Sequence, residues 1–132
     1  MRPLLLLAAP AALLTACTAA DRAPPAAMAS ADAETCFYAA DVTGFRAPDD
    51  RTVFIGTARG RTFRLDTLVD CNRARSAQTV GFRTPAGGDR VCRGADVDLL
   101  IPGAGAAGTC PVSAITPLTA AEAQALPANA RP

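Results

Sequence analysis

Arg51-Thr52-Val53-Phe54-Ile55-Gly56-Thr57, then Ala58-Arg59-Gly60, then Arg61-Thr62-Phe63-Arg64-Leu65-Asp66 decide the fold. The first run alternates, placing Val53 and Ile55 on one face of a strand. The third places Phe63 and Leu65 on one face and Arg64 on the other. Between them, Gly60 supplies the left-handed backbone that a tight turn needs. The reading is a β-hairpin. Outward from it, residues 78–84 form a third strand with Val80 and Phe82 inward. Residues 96–101 form a fourth, with Val97, Leu99 and Ile101 alternating inward until Pro102-Gly103 stops it. Residues 109–116 form a fifth, carrying Cys110 and Val112. Thr119-Ala120-Ala121-Glu122 has the pattern of a capping box, so a short helix starts there, and Pro127 ends it. A second short helix is expected at residues 38–42. The expected fold class is β-rich (α+β): a small twisted antiparallel sheet, or a partly open barrel, of about five strands with a short C-terminal helix.

A chain of 132 residues has room for one small domain. Half of it is hydrophobic, but it holds only five Phe, one Tyr and no Trp, so its core is modest. Eleven Pro and ten Gly interrupt it too often for long helices. Thirteen Arg, with no Lys, stand against twelve acidic residues, and so small a net charge gives no global attraction to nucleic acid. The absence of His excludes Ser-His and Cys-His catalysis and His-ligated metal centres.

Residues 1–16 read as a lipoprotein signal peptide. Arg2 gives the positive start, and the eleven-residue stretch Leu4 to Leu14 is too short to span a bilayer. It ends in Leu14-Thr15-Ala16-Cys17, a lipobox, so Cys17 is the expected lipidation site and the first residue after cleavage. Its acyl chains would hold the protein to a membrane at about 0.8 kcal/mol per buried CH₂. Thr18 follows rather than Asp, so sorting to the outer membrane of a Gram-negative bacterium, facing the periplasm, is expected. Residues 17–33 are Ala- and Pro-rich and read as a flexible tether. Residues 34–126 form the disulfide-stabilised β-rich domain, and 127–132 read as a disordered tail.

Five Cys is an odd count for an exported chain. With Cys17 acylated, Cys36, Cys71, Cys92 and Cys110 remain, an even set for two disulfides in an oxidising compartment. Three pairings exist. The favoured one is Cys71–Cys92 with Cys36–Cys110, because the second link would tie the ends of the domain together. No Cys-x-x-Cys pair is present, so a metal site is not expected, and no cofactor is implied.

The acidic groups Asp49-Asp50, Asp66 with Asp70, and Asp96 with Asp98 could serve as acid/base pairs or a calcium site. No calcium-type loop surrounds them. Asp49-Asp50 reads instead as a turn opener before Arg51, and Asp96 and Asp98 as the solvated face of a strand. Arginine is dense at Arg59, Arg61, Arg64, Arg73 and Arg75. Arg59, Arg61 and Arg64 are the candidate contacts to an anion or an envelope partner, because the guanidinium is a two-pronged donor for phosphate and carboxylate. Ser30, Ser76 and Ser113 lack a Gly-x-Ser-x-Gly setting and any base, and the Gly-containing loops lack a phosphate-binding Lys.

Cys36-Phe37, Phe45-Arg46-Ala47 with Asp49-Asp50-Arg51-Thr52-Val53, Phe63-Arg64-Leu65, Cys71, Gly81-Phe82, Val91-Cys92, Asp96-Val97-Asp98, Cys110-Pro111-Val112 and Leu118-Thr119 with Glu122 carry a family pattern. In that order they resemble a family of small four-Cys proteobacterial lipoproteins known as the domain of unknown function 6491 family. Phe45 and Phe63 stand where Trp and Tyr are expected in that family. The resemblance implies an envelope lipoprotein with a shared small fold and implies no activity. The expected function is therefore a non-enzymatic binding or structural module, partnered by the membrane through its lipid and by an envelope protein or glycan. No small-molecule substrate and no nucleic acid are expected. Two alternatives are a small periplasmic inhibitor of a lysozyme-type hydrolase and an acid-based enzyme using paired Asp residues.

Overall fold

The computed structural model of the chain describes residues 35–102 and 108–132. The segments read as a signal peptide and a tether, the expected lipidation site Cys17 and residues 103–107 lie outside those residues.

The alternating runs form antiparallel strands. In chain order these are β1 (Phe37–Tyr38), β2 (Val42–Arg46), β3 (Thr52–Thr57), β4 (Thr62–Thr67), β5 (Gly81–Arg83), β6 (Arg90–Val91), β7 (Asp98–Leu100) and β8 (Thr109–Leu118). One short helix, α1 (Ala120–Ala125), follows. Six strands make a curled half-barrel in the order β2-β3-β4-β8-β7-β5, and β1 and β6 pair as a separate ribbon. The hairpin turns at Gly60 with a positive φ of 73°, as the Ala58-Arg59-Gly60 reading requires. β8 joins the two halves of the sheet. Its first residues pair with β7 and its later ones with β4. Pro111 and Pro117 therefore each sit where one side of β8 meets no strand, and the missing N–H breaks no ladder.

The concave face is the core. Val53, Ile55, Phe63, Leu65, Val97, Leu99, Ile101 and Val112 are all buried on it. Each such side chain contributes about 1.5–3 kcal/mol when removed from water. The β1–β6 ribbon closes one end by turning Phe37 and its cross-strand partner Val91 inward. The Phe37 ring lies 5.1 Å from that of Phe63 and 6.3 Å from that of Phe82.

Several expectations are corrected. The helix expected at 38–42 is a single 3₁₀ turn, Ala39–Asp41, between β1 and β2. β2 carries a Gly and a register shift, which blurs its alternation. Asp96 is not on a strand face. It ends the 3₁₀ turn Gly94–Asp96, and its carboxylate accepts from the amides of Cys92 and Arg93 at 3.2 and 2.9 Å. The disulfides are Cys36–Cys92 and Cys71–Cys110, not Cys71–Cys92 and Cys36–Cys110. Strand register decides this. Phe37 lies opposite Val91, so the next antiparallel step sets Cys36 opposite Cys92, with Cα atoms 4.2 Å apart.

Residues 127–132, expected as a disordered tail, are packed. Ala130 is only 1% exposed, and Pro132 lies against Gly44 and Gly56 on the convex face of β2 and β3. That face also carries Phe54, which is buried although it points away from the core. Arg131 reaches back to the end of α1, donating to the carbonyls of Leu126 at 2.7 Å and Gln124 at 3.0 Å. These bonds satisfy carbonyls that a helix end leaves free. At the other end of α1, Thr119 Oγ1 accepts from the Glu122 amide and Glu122 reaches back to the Thr119 amide.

Candidate ligand-binding seam and arginine pocket

β2 and β5 are the two ends of the strand order, so the half-barrel has an open seam between them. A groove of about 410 Å³ lies along it, with Val42 and Phe45 from one edge and Val80 and Phe82 from the other. At Phe45 and Arg46 it runs into a larger cleft of about 710 Å³. The wall of that cleft is apolar at Ala47, Pro48, Ala74 and Ala77. Its polar groups are the guanidiniums of Arg46 and Arg75, the carboxylate of Asp50, the hydroxyl of Ser76 and the amides of Asn72 and Asn129. The cleft is thus mixed, apolar on part of its wall and polar or charged on the rest.

Each polar group is placed by a different segment. Arg46 ends β2 and folds back, Nη1 donating to the Phe45 carbonyl at 2.8 Å. Arg75 lies on the 3₁₀ turn Asn72–Arg75, held to β8 through the Cys71–Cys110 disulfide just before it. Its Nη1 stands 3.7 Å from Oδ1 of Asp50, an oxygen closed off from solvent with no hydrogen-bond partner. Asn129 comes from the packed tail.

The arginines singled out in the sequence separate. Arg64 is on the convex face, paired with Asp66 at 2.8 Å. Arg59 and Arg61 stay together and are joined by Arg90 around a small pocket of about 130 Å³. Arg61 lies over the Phe63 ring, 4.8 Å from its centroid, and donates to the Cys36 carbonyl at 3.2 Å. Arg59 faces Asp41 at 3.6 Å. Arg90 sits directly across the ribbon from Tyr38. Periodicity carried no sign of Arg90 or Arg46, because neither lies near the dense arginine run in sequence.

The acidic pairs do structural work. Asp49 Oδ1 accepts from the amides of Arg51 at 2.9 Å and Thr52 at 2.7 Å, the expected turn before β3. Burial pushes the Asp49 carboxyl up, but those two backbone bonds, with the Thr52 hydroxyl and the charge of Arg64, together hold the group below its ordinary value. Asp66, Asp70 and Asp98 pair with Arg64, Arg51 and Arg83. Among the described residues no three of His, Cys, Asp and Glu come together as a metal site.

No curated protein and no solved structure matches the chain. Residues 1–132 match the Family of unknown function (DUF6491), and the chain belongs to that family.

Proposed function

We propose that this chain is a lipid-anchored cell-envelope protein, facing the periplasm from the outer membrane, that works by binding and not by catalysis. Its partner is an acidic, extended segment of another polypeptide lying in the seam between β2 and β5. The observation that carries this is the open seam itself: apolar along the two strand edges and basic where Arg46 and Arg75 meet the cleft. A strand edge recognises extended backbone, and side-chain pockets beside it supply selectivity. The anchor follows from the Leu14-Thr15-Ala16-Cys17 lipobox, which puts the domain on a tether at a membrane surface. Binding energy then comes from Phe45, Val80 and Phe82 losing water, and orientation comes from the guanidiniums.

Two measurements test it. Palmitate labelling of cells should mark the wild-type chain and leave Cys17→Ser unlabelled; label on Cys17→Ser would overturn the anchor. Fluorescence anisotropy with a peptide alternating Glu and Val should show salt-sensitive binding, about tenfold weaker for Arg46→Ala. Equal binding of a Lys/Val peptide, or none of the acidic one, would overturn the seam reading.

A second reading, inhibition of a lysozyme-type hydrolase, draws on one feature. Leu68 and Val69 are 61% and 48% exposed on the loop after β4. That loop is pinned by Leu68 N to the Pro111 carbonyl at 2.9 Å and by Thr67 Oγ1 to the Val69 carbonyl at 2.7 Å. A braced apolar loop is the form an inhibitor inserts into a cleft. Lysozyme assayed with wild type and Leu68→Asp separates the two readings.

A further inference from the structure

We infer that the pocket formed by Arg59, Arg61 and Arg90 binds a phosphate monoester group. It shares no lining residue with the seam or its adjoining cleft, so it stands apart from the reading above.

Three segments bring these arginines to one pocket: the hairpin turn supplies Arg59, the start of β4 supplies Arg61, and β6 supplies Arg90. Like charges gathered round one small pocket repel, and an anion between them relieves that cost. Arg61 is held in advance by the Phe63 ring and the Cys36 carbonyl, and Cys36 is itself fixed by its disulfide across the ribbon. A guanidinium whose orientation is already set loses less freedom when it binds. Arg90 makes no ion pair with any described residue, and its position opposite Tyr38 sets it at the pocket edge.

Charge selects the ligand. Asp41 is the acidic residue among the described residues lining the pocket, and three arginines stand around it. A phosphate monoester carries about −1.5 to −2 at neutral pH and offers three acceptor oxygens. A carboxylate brings half that charge and two oxygens. The volume of about 130 Å³ admits one such group and not a sugar ring beside it. Guanidiniums bind phosphate in paired, charge-assisted bonds, which are stronger than neutral ones. Two sources present this group: soluble phosphate, and a monoester headgroup on a lipid surface, near which the tether would hold the domain.

Isothermal titration calorimetry of the full chain in detergent with inorganic phosphate tests the soluble source. Co-sedimentation with phosphatidylcholine vesicles, with and without phosphatidic acid, tests the lipid source. Saturable binding in either arm, at least about tenfold weaker for Arg59→Ala and Arg90→Ala, is expected. Arg93→Ala, whose guanidinium pairs with Asp96 elsewhere, should bind like wild type. Asp41→Asn should bind more tightly, a gain that no folding defect can imitate. Binding in the vesicle arm alone assigns the site to a lipid headgroup. Acetate binding as tightly as phosphate, losses equal in Arg93→Ala, or no binding in both arms would overturn the inference.

Discussion

Replacing Gly94 with Ala tests the packing of the half-barrel at its tightest described point. Gly94 is buried, and its backbone lies against β8 where the β4–β8 register shifts and skips Ser113. A Cβ built at Gly94 would stand 2.4 Å from both the carbonyl carbon and the oxygen of Ser113, and 2.7 Å from the amide nitrogen of Ala114. Ordinary contact begins near 3.4 Å, so the 3₁₀ turn and β8 must separate by about 1 Å. Neither yields easily. The turn is tied by the Asp96 carboxylate and lies next to the Cys36–Cys92 disulfide, while Ser113 Oγ donates to the Asp66 carbonyl at 2.9 Å. Overpacking costs about 1–3 kcal/mol, and backbone as the obstacle puts this case in the upper half. The loss of unfolded-chain freedom on Gly→Ala returns about 0.4–1 kcal/mol, because φ at Gly94 is not positive. The expected net loss is about 2 kcal/mol, or a fall in Tm of about 8–16 °C for a domain of this size. Far-UV circular dichroism through urea and thermal unfolding, with disulfides intact, reads it. Gly88→Ala is the control, since nothing lies within 4 Å of its Cβ position. A Gly94→Ala protein within about 0.5 kcal/mol of wild type would refute the reasoning.

Mass mapping of a non-reduced digest should yield Cys36–Cys92 and Cys71–Cys110 peptides, and a Cys71–Cys92 peptide would contradict the register argument. From loops of 56 and 39 residues, removing either link should cost up to about 4 kcal/mol by the chain-entropy estimate, measured as a shift in urea midpoint. Asp49 has a folded pKa below its ordinary value of 3.8, so its turn bonds contribute fully above that value and are lost as pH falls through the lower, folded one. Asp49→Asn should flatten stability against pH below about pH 4; an unchanged acid limb would remove Asp49 from it. Ala130→Asp places a charge at a site 1% exposed and should lower stability by more than about 2 kcal/mol, an effect a disordered tail would not show.

Some of the fold is legible in the bare chain. Where alternation is strong and unbroken, as at 51–57 and 61–66, side-chain burial and strand period agree, and β3, β4 and their turn follow. Val97, Leu99 and Ile101 all turn inward as their spacing implies, although only Asp98–Leu100 is paired as β7. The Thr119 cap is equally local, since its partner lies three residues away. β2 is not legible: a Gly and a register shift interrupt it, and β1 and β6 are two residues long. The arginine cluster is half legible. Arg59 and Arg61 come together as neighbours in a turn, whereas Arg64 points to the opposite face and Arg90 arrives from a strand about thirty residues away.

By itself, then, the chain determined those features whose causes are local: alternation, turn chemistry, capping, the apolar stretch before Cys17 and the even set of cysteines behind it. Tertiary structure decided which sulfur faces which, that the last six residues pack back against β2 and β3, that the sheet curls without closing, and that Arg90 completes a pocket. Each of those depends on register and curl, where a shift of one residue turns every side chain to the other face, and no short window of sequence encodes it.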